Sequence, residues 1–249
     1  MIVENRVLKR VDENDLWTLI FKPHEFWRDI EIIGKKAFSK LKLQYISIPD
    51  GIRKIEERAF YSCKNLKLVV MPDSVTDIEE FAFEECTSLT DVRLSNNLTV
   101  LKSGIFIGCI KLKNINFPEG LQEIQHFTFF KCQSLKKVNF FNNLEKIGMG
   151  AFLRCTRLKK IKMSLGLKEI RKSAFKDCFA LEKVDLPQIA SKISKSAFSG
   201  CERLCEVNLI DVFRCRIDSL DEHFLCQIKQ GAVFVKPEDE FLSLNAFIK

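Results

Sequence analysis

Hydrophobic residues recur along most of this chain with a period of 23 residues. An alanine usually precedes a phenylalanine; a cysteine follows that phenylalanine by three residues, a leucine by six and a branched apolar residue by nine. A period between about 20 and 50 residues is typical of stacked structural units. The pattern therefore predicts a repeat protein. Its repeated phenylalanines are Phe38 (one residue out of step), Phe60, Phe83, Phe106, Phe129, Phe152, Phe175 and Phe198.

Each repeat contains a segment L-x-x-V-x-L whose last part alternates with period two. This alternation predicts a short strand with one buried face. In the A-F-x-x-C segment that follows, residues such as Ala151, Phe152 and Cys155 lie three or four apart, which predicts a single helical turn. Stacking of roughly eight such units would bury the apolar columns. Proline lacks an N–H and is expected to end strand pairing where it closes the segment, at Pro49, Pro72, Pro118 and Pro187.

The motifs L-x-x-V-x-L-P, L-x-x-I and A-F-x-x-C at this period resemble the BspA-like leucine-rich repeats over about residues 30 to 210. The resemblance implies an α/β or mainly-β repeat fold, a right-handed curved solenoid. Parallel strands would line its concave face, and short helical turns or loops its convex side. Residues 233–237, followed by Phe241 and Phe247, resemble the closing strand and capping helix of that family. The resemblance also implies roles in adhesion or protein binding, and it transfers no catalytic residue.

We interpret residues 1–249 as one leucine-rich repeat domain: an N-terminal cap (1–29), about eight repeats (30–210), then a degenerate coil and C-terminal cap (211–249). Apolar positions within 3–11 predict a hairpin-like start. Pro23 would open a short helix holding Phe26 and Trp27. Trp17 and Trp27 are expected to cover the first coil; the alternative is a partner-binding element, because exposed tryptophans favour interfaces.

The composition, 46% hydrophobic and 29% charged with no Gly/Ser linker, is that of a folded unit. No apolar run approaches the ~18–20 residues of a membrane-spanning helix. Residues 1–6 carry charges where a signal peptide needs an apolar stretch. The sequence as written is therefore expected to be cytoplasmic, with signal-independent secretion left open. A monomer is also expected.

Ten cysteines raise the question of redox or metal chemistry. Seven of them belong to the repeat and are expected to pack as reduced, buried thiols. Cys205, Cys215, His223 and Cys226 could bind zinc by residue type, but no C-x-x-C pair supports such a site. No metal or cofactor is therefore expected.

The sequence also argues against an enzyme. Its three histidines, His24, His126 and His223, do not form a recognisable nucleophile arrangement with serine or cysteine. The motifs G-x-x-x-x-G-K-[ST], G-x-G-x-x-G and H-E-x-x-H are absent from the sequence. A non-catalytic protein is the expectation.

Function is instead expected on the strand face that points away from the core. Its N-terminal end is apolar and aromatic, its middle is rich in lysine, and its C-terminal end is mixed to acidic. The net charge of +7 agrees with attraction of an acidic partner. The alternative is a merely solvated face, because the chain holds 40 lysines and arginines. The candidate partner-binding residues are Tyr45, Leu68, Val70, Arg93, Lys113, Lys136, Lys137, Lys159, Lys160, Lys162 and Lys183.

Three functional hypotheses follow. The leading one is a non-catalytic scaffold whose concave face binds a protein with acidic and apolar features. The second is a surface or secreted module, adhesin- or effector-like, that recognises host protein or glycan. The third, binding of nucleic acid or anionic lipid, is disfavoured because aromatic side chains are not interleaved with the lysines.

Overall fold

The computed structural model of the chain describes residues 1–187, 192–194, 196–210, 234–235 and 241–242. Repeating strands dominate these residues, with two short helices near the start, α1 (Asp15–Phe21) and α2 (Pro23–Phe26). Each coil contributes one strand after its repeated phenylalanine and one before it. The strands after it, called the long strands, are β4 (Tyr45–Ser47), β6 (Leu68–Val70), β8 (Asp91–Arg93), β10 (Asn114–Asn116), β12 (Lys137–Asn139), β14 (Lys160–Lys162), β16 (Lys183–Pro187) and β18 (Glu206–Ile210).

The second strand of each coil has two residues and precedes the phenylalanine. These short strands are β3 (Ile32–Ile33), β5 (Lys54–Ile55), β7 (Asp77–Ile78), β9 (Val100–Leu101), β11 (Glu123–Ile124), β13 (Lys146–Ile147), β15 (Glu169–Ile170) and β17 (Lys192–Ile193). Two antiparallel pairs complete the set: β1 (Ile2–Glu4) with β2 (Val7–Arg10), and β19 (Phe234–Val235) with β20 (Phe241–Leu242). The chain is thus a parallel-strand solenoid of about eight turns, as predicted.

The strands of neighbouring coils pair in parallel, residue by residue at the 23-residue offset, but each face is divided once. The long strands form two sheets, β4-β6-β8-β10 and β12-β14-β16-β18, and the short strands divide between β7 and β9. At the long-strand division, Phe117 and Phe140 occupy a column that holds isoleucine, methionine or leucine in other coils, and their ring centroids lie 5.0 Å apart. We attribute the division to the larger volume of these two rings.

The alternation predicted for the long strands is confirmed. Ile46 is buried between exposed Tyr45 and Ser47, and Ile161 is buried between two exposed lysines. The inward residues of the long strands from β4 to β16 belong to one hydrophobic core, except Ile115 of β10, which is half-buried and packs against it. The phase of these strands is therefore fixed by their inward residues.

The A-F-x-x-C segment is a turn, so the predicted helical turn is wrong. Phe60 donates its N–H to the Ala82 carbonyl of the next coil at 2.8 Å, and Ser62 donates to Glu84 at 2.8 Å. Because alternate N–H groups bond to the neighbouring coil, they are not available for helical bonds within the segment. In seven coils the residues two before and two after the phenylalanine have positive φ, for example Arg58 at 57° and Ser62 at 57°.

Glycine occupies some of these positive-φ positions, where an aromatic ring of the preceding coil takes up the space. At Gly104, with φ of +67°, a Cβ atom would lie 2.4 Å from Cδ1 of Phe81. Phe127 covers Gly150 in the same way, at 2.5 Å from such a Cβ. Ring and glycine therefore depend on each other across one coil spacing.

The repeated phenylalanines stack in a continuous column, with successive centroids 4.8–5.6 Å apart and planes within 15° of each other. Beside them the seven repeated cysteines are buried and free. Each of these thiols donates to the phenylalanine carbonyl of the preceding coil at 2.9–3.3 Å. Burial raises the pKa of the Cys63 thiol to about 12. The predicted packing role of these cysteines is confirmed.

The elements predicted for residues 1–29 are present, but one of the two tryptophans is not where the sequence analysis expected it. The hairpin β1–β2 and the Pro23 helix are present, and Trp27 is buried with its ring centroid 6.1 Å from that of Phe38. Trp17, by contrast, is 56% exposed and contacts Phe21. The expectation that Trp17 covers the first coil is wrong, because the buried side of α1 is formed by Leu19.

Two expectations about the C-terminal part also change. Pro187 was expected to end pairing, but β16 continues through it and Pro187 pairs with Ile210; proline keeps a carbonyl that can accept a hydrogen bond. Phe241 was expected in a capping helix, but it lies in β20 because it pairs with Val235. Phe247 lies outside the described residues. Among the described residues, no helix is long and apolar enough to cross a membrane.

Candidate binding surface on the long strands

Six lysines belong to the outer side of the sheet β12-β14-β16-β18: four lie in its strands, and Lys136 and Lys159 directly precede β12 and β14. Register pairs Lys137 with Lys160 and Lys160 with Lys183, so these three form one column across adjacent strands. Strand pairing sets a spacing of about 4.8 Å along such a column. We call this set the lysine grid; its members are Lys136, Lys137, Lys159, Lys160, Lys162 and Lys183.

The interruption between β10 and β12 separates the other predicted residues from the grid. Lys113 and Arg93 are exposed but belong to the first long-strand sheet. Tyr45 and Leu68 are register partners on that sheet, 58% and 36% exposed, and Val70 is half-buried. The eleven predicted residues therefore fall into a basic group and a mainly apolar group on different sheets.

The grid contains few internal counter-charges. Among the ion pairs of the described residues, none involves Lys113, Lys136, Lys137, Lys159, Lys160 or Lys162. Lys183, at the C-terminal edge, lies 4.0 Å from the carboxylate of Asp185. Like charges directly opposite one another on neighbouring strands destabilise a sheet.

On the short-strand face of the earlier coils, around β5, β7 and β9, lysines are paired with carboxylates. Lys54 is the register partner of Asp77, and its Nζ lies 3.3 Å from that carboxylate and 2.6 Å from Glu79. Lys102 approaches the same two carboxylates at 2.6 and 3.0 Å. Hydrogen bonding by Lys54 lowers the pKa of Glu79 to about 2. This four-residue network spans the division between β7 and β9.

Three exposed apolar side chains lie next to the grid strands in the chain and a fourth, Ile110, precedes β10; none of the four is among the eleven predicted residues. Phe141 (47% exposed) and Leu165 (44%) follow the ends of β12 and β14. Ile110 (36%) and Phe179 (43%) each precede a long strand by four residues. The signal was present, because the equivalent positions of most other coils hold polar residues or proline. A comparison of strand positions alone does not find these four residues, because all of them lie outside the strands.

The sequence model of the BspA-type leucine-rich repeat region matches residues 31–152 and 122–227, in six copies. The chain belongs to the BspA-type leucine-rich repeat family. A leucine-rich repeat protein of T. pallidum is similar in structure, with a TM-score of 0.61, 30% identity, and 66% of this chain and 79% of that one covered. One from Bacteroides ovatus aligns with a TM-score of 0.55 and 28% identity over 74% of this chain and 60% of that one. Among curated proteins none matches.

BspA-type repeats and the similar leucine-rich repeat structures are in general non-enzymatic scaffolds suited to protein binding. In this member, the described residues contain no group of three or more His, Cys, Asp or Glu side chains placed to hold a metal ion. Cys205 is exposed and its thiol contacts the Glu182 carbonyl at 3.6 Å. Cys215, His223 and Cys226 lie outside the described residues, so the zinc hypothesis rests on sequence alone.

A shallow groove of about 530 Å³ lies on the short-strand face of this BspA-type solenoid, lined among others by His126, Glu169 and Arg171. His126 accepts the Met149 N–H at Nδ1, 2.9 Å away. Glu169 accepts from Arg171 at 3.1 Å. Both side chains are thus engaged within the chain. The long-strand face, where the lysines outnumber the carboxylates beside them, is the stronger candidate for a binding surface; Asp185 lies 4.0 Å from Lys183 and is the register partner of Lys162.

Proposed function

We propose that this protein is a non-catalytic interaction module whose lysine grid binds an acidic protein partner. The observation that carries the proposal is the column Lys137–Lys160–Lys183, in which three lysines stack in register without an acidic residue between them. On the short-strand face the same stacking alternates Lys54 with Asp77. If the lysines of the long-strand face reflected only the lysine-rich composition of the chain, we would expect both faces to show the same pairing of charges.

Carboxylates of a bound partner would attract the lysines that repel one another across neighbouring strands. A cluster of one sign also raises the rate of encounter with an oppositely charged molecule. The flanking side chains Phe141, Leu165 and Phe179 add apolar contact area at the rim of the grid. Because buried apolar anchors carry much of the binding energy at protein interfaces, we infer a partner segment with acidic residues between apolar ones.

Nucleic acid fits this surface less well than an acidic protein. Binding of single strands relies on aromatic side chains that stack on successive bases. The exposed aromatic residue of the long strands, Tyr45, lies on the other sheet, and Lys67 Nζ sits 5.7 Å from its ring centroid. Phe141 and Phe179 are single exposed rings at the rim of the grid, so the grid offers phosphate contacts without a row of rings on which successive bases could stack.

The test compares two variants with the same change in net charge. In one, Lys137, Lys160 and Lys162 become glutamate; in the control, three lysines outside the long strands do: Lys131, Lys172 and Lys176. Binding is measured to a partner identified by affinity purification, and to a glutamate-rich peptide with interspersed phenylalanines and to oligothymidylate as defined probes. We expect the grid variant to raise the Kd for partner and peptide at least about tenfold, and the control much less. Undiminished binding by the grid variant, or preference for oligothymidylate, would contradict the proposal.

A second candidate function rests on the apolar group around Tyr45. Tyr45 is 58% exposed beside Leu68, and an exposed aromatic ring of this kind suits an interface. This surface fits the adhesin- or effector-like module expected from the family, acting on host protein or glycan. Cell fractionation separates the two, because a module of this kind has to reach the cell exterior, whereas the scaffold hypothesis expects the cytoplasm. Tyr45→Ala would abolish host-surface binding and leave the glutamate-rich peptide bound.

A further inference from the structure

The outer side of α1 exposes three large apolar residues at the N-terminal end of the solenoid. Trp17, Ile20 and Phe21 are 56%, 61% and 66% exposed, and the last two are the most exposed large apolar side chains of the described residues. Their spacing of three and four places them on one helix face. The rings of Trp17 and Phe21 contact each other, with centroids 5.4 Å apart. Leu19 is buried against the core instead. We call these three residues the α1 face.

The outer strand at this end of the solenoid, β1, is poorly suited to pair through its backbone with another chain. A contact with another chain would therefore be made by side chains. β1 is the outer strand of the sheet β1-β2-β3-β5-β7, and the Met1 amino group contacts Asp15 at the start of α1. The strand has three residues, and its register shifts between Ile2 and Val3. Short length and irregularity are devices that protect sheet edges from pairing with other chains. The side chains of Ile2 and Val3 on this strand are also exposed.

The size of this surface suits a small, self-complementary interface. An aromatic side chain offers 150–250 Å², so at these exposed fractions the α1 face leaves on the order of 350 Å² open. Two copies of the face would bury about 700 Å², and specific interfaces begin near 1,000 Å² in total. Ile2, Val3 and Lys22 are also exposed, and we expect their apolar atoms to contribute the rest of the buried area. The expected contact is therefore specific but weak.

We propose that the α1 face binds the α1 face of a second copy of this chain about a two-fold axis, with the helices antiparallel. Such an isologous contact needs a surface that is complementary to itself. Exposed Asp12 and Glu13 lie just before α1, where Asp12 accepts the N–H groups of Asn14 and Asp15. Lys22 directly follows α1 and is held by Glu25 at 3.2 Å, and exposed Arg28 lies beyond α2. Antiparallel pairing would bring each acidic start towards the segment of the partner that carries Lys22 and Arg28. The same acidic residues disfavour an anionic membrane surface as the occupant.

This dimer differs from the monomer expected from the sequence, and its contact includes Trp17, which the sequence was expected to place against the first coil. It is independent of the lysine grid, which lies on other coils. Sedimentation equilibrium of the full chain is expected to show a reversible monomer–dimer equilibrium in the micromolar range. Ile20→Glu is expected to raise the dimer Kd at least about a hundredfold, since a symmetric contact receives the change twice. Met149→Glu, a similar change at an exposed apolar residue outside both the α1 face and the rim of the lysine grid, is expected to leave the Kd within about twofold.

Two further measurements identify the contact. Mixing Ile20→Glu with Ile20→Lys protein is expected to restore association above that of either variant alone, because the two charges meet across the axis. Trp17 emission is expected to shift to shorter wavelength as the dimer forms, and Trp17→Phe to remove the shift, since Trp27 is already buried. A wild type that stays monomeric, a dimer that survives Ile20→Glu, or mixing that restores nothing would overturn the proposal. So would Ile20-dependent binding of the protein to phosphatidylcholine–phosphatidylserine vesicles in place of dimerisation.

Discussion

Replacing Lys160 by glutamate is expected to stabilise the protein, although it removes a residue of the proposed binding surface. Lys160 lies between Lys137 and Lys183 in register on β12 and β16. At a strand spacing of about 4.8 Å, its charge is opposed by a like charge on each side. The glutamate variant would convert both repulsive pairs into attractive ones.

The magnitude follows from these two neighbours. Cross-strand pairs of exposed charges are worth roughly 0.2–1 kcal/mol each, so reversal at one position is expected to raise the free energy of unfolding by about 0.5–2 kcal/mol at low salt. Lys54→Glu is the matched change on the opposite face. It removes contacts of 2.6 Å to Glu79 and 3.3 Å to Asp77 and adds a third carboxylate. Since exposed ion pairs are worth about 0.2–1 kcal/mol each, Lys54→Glu is expected to destabilise by about 1–2 kcal/mol.

Urea denaturation of the wild type and both variants, at low salt and at about 1 M salt, measures these effects as midpoint shifts. The two shifts are expected to have opposite signs at low salt. Both are expected to shrink at high salt, where the screening length falls to about 3 Å. A midpoint that falls for Lys160→Glu at low salt would refute the inference that the stacked lysines repel. A rise together with lost partner binding would indicate that the grid is kept for binding at the expense of stability.

Two further predictions concern the core and the pH dependence of stability. Cys132→Ala removes the thiol that donates to the Phe106 carbonyl at 3.3 Å and is expected to lower the free energy of unfolding by about 1–2 kcal/mol. Cys132→Ser keeps a donor and is expected to lower it less. A serine variant less stable than the alanine variant would contradict a contribution from this hydrogen bond. Hydrogen bonding by Lys54 lowers the pKa of Glu79 from 4.5 to about 2, so its contribution is present above about pH 4.5 and is lost as the pH falls towards 2. Glu79→Gln is therefore expected to be less stable than the wild type at pH 7, by about 1–2 kcal/mol, and denaturation at pH 3 should show a smaller difference.

The sequence predicts those parts of this fold that depend on one residue position repeated in every coil. Val69, Ile161 and their equivalents are buried because a strand alternates with period two, and the count from the phenylalanine therefore placed Lys137 and Lys160 correctly on the outer side. The same spacing could not distinguish a helical turn from the observed turn. Both conformations bring Ala59 and Cys63 to the inside.

Features that depend on two neighbouring coils, or on the direction of a helix, were beyond the sequence pattern. The interruption between β10 and β12 arises where Phe117 and Phe140 meet, and neither residue alone departs from the apolar character of its column. The exposure of Trp17 depends on which side of α1 packs on the core. Each of these outcomes is decided by the volume or orientation of a contact across coils, for which the repeat period holds no information.

Because the coils stack at a fixed spacing, the side chains at one repeat position form a column across neighbouring strands. A charged column can alternate in sign, as Lys54 and Asp77 do, or repeat one sign, as Lys137, Lys160 and Lys183 do. Both occur in one chain, so overall lysine content does not explain the repeated one. The repeated column is also bounded: the interruption precedes β12, and Glu206 is the register partner of Lys183 on β18. Three strands at about 4.8 Å cover roughly 10 Å, the span of an extended segment of about three to four residues. The acidic motif that the grid selects should therefore be short, and a peptide with two or three acidic residues in that span should bind as well as a longer acidic tract.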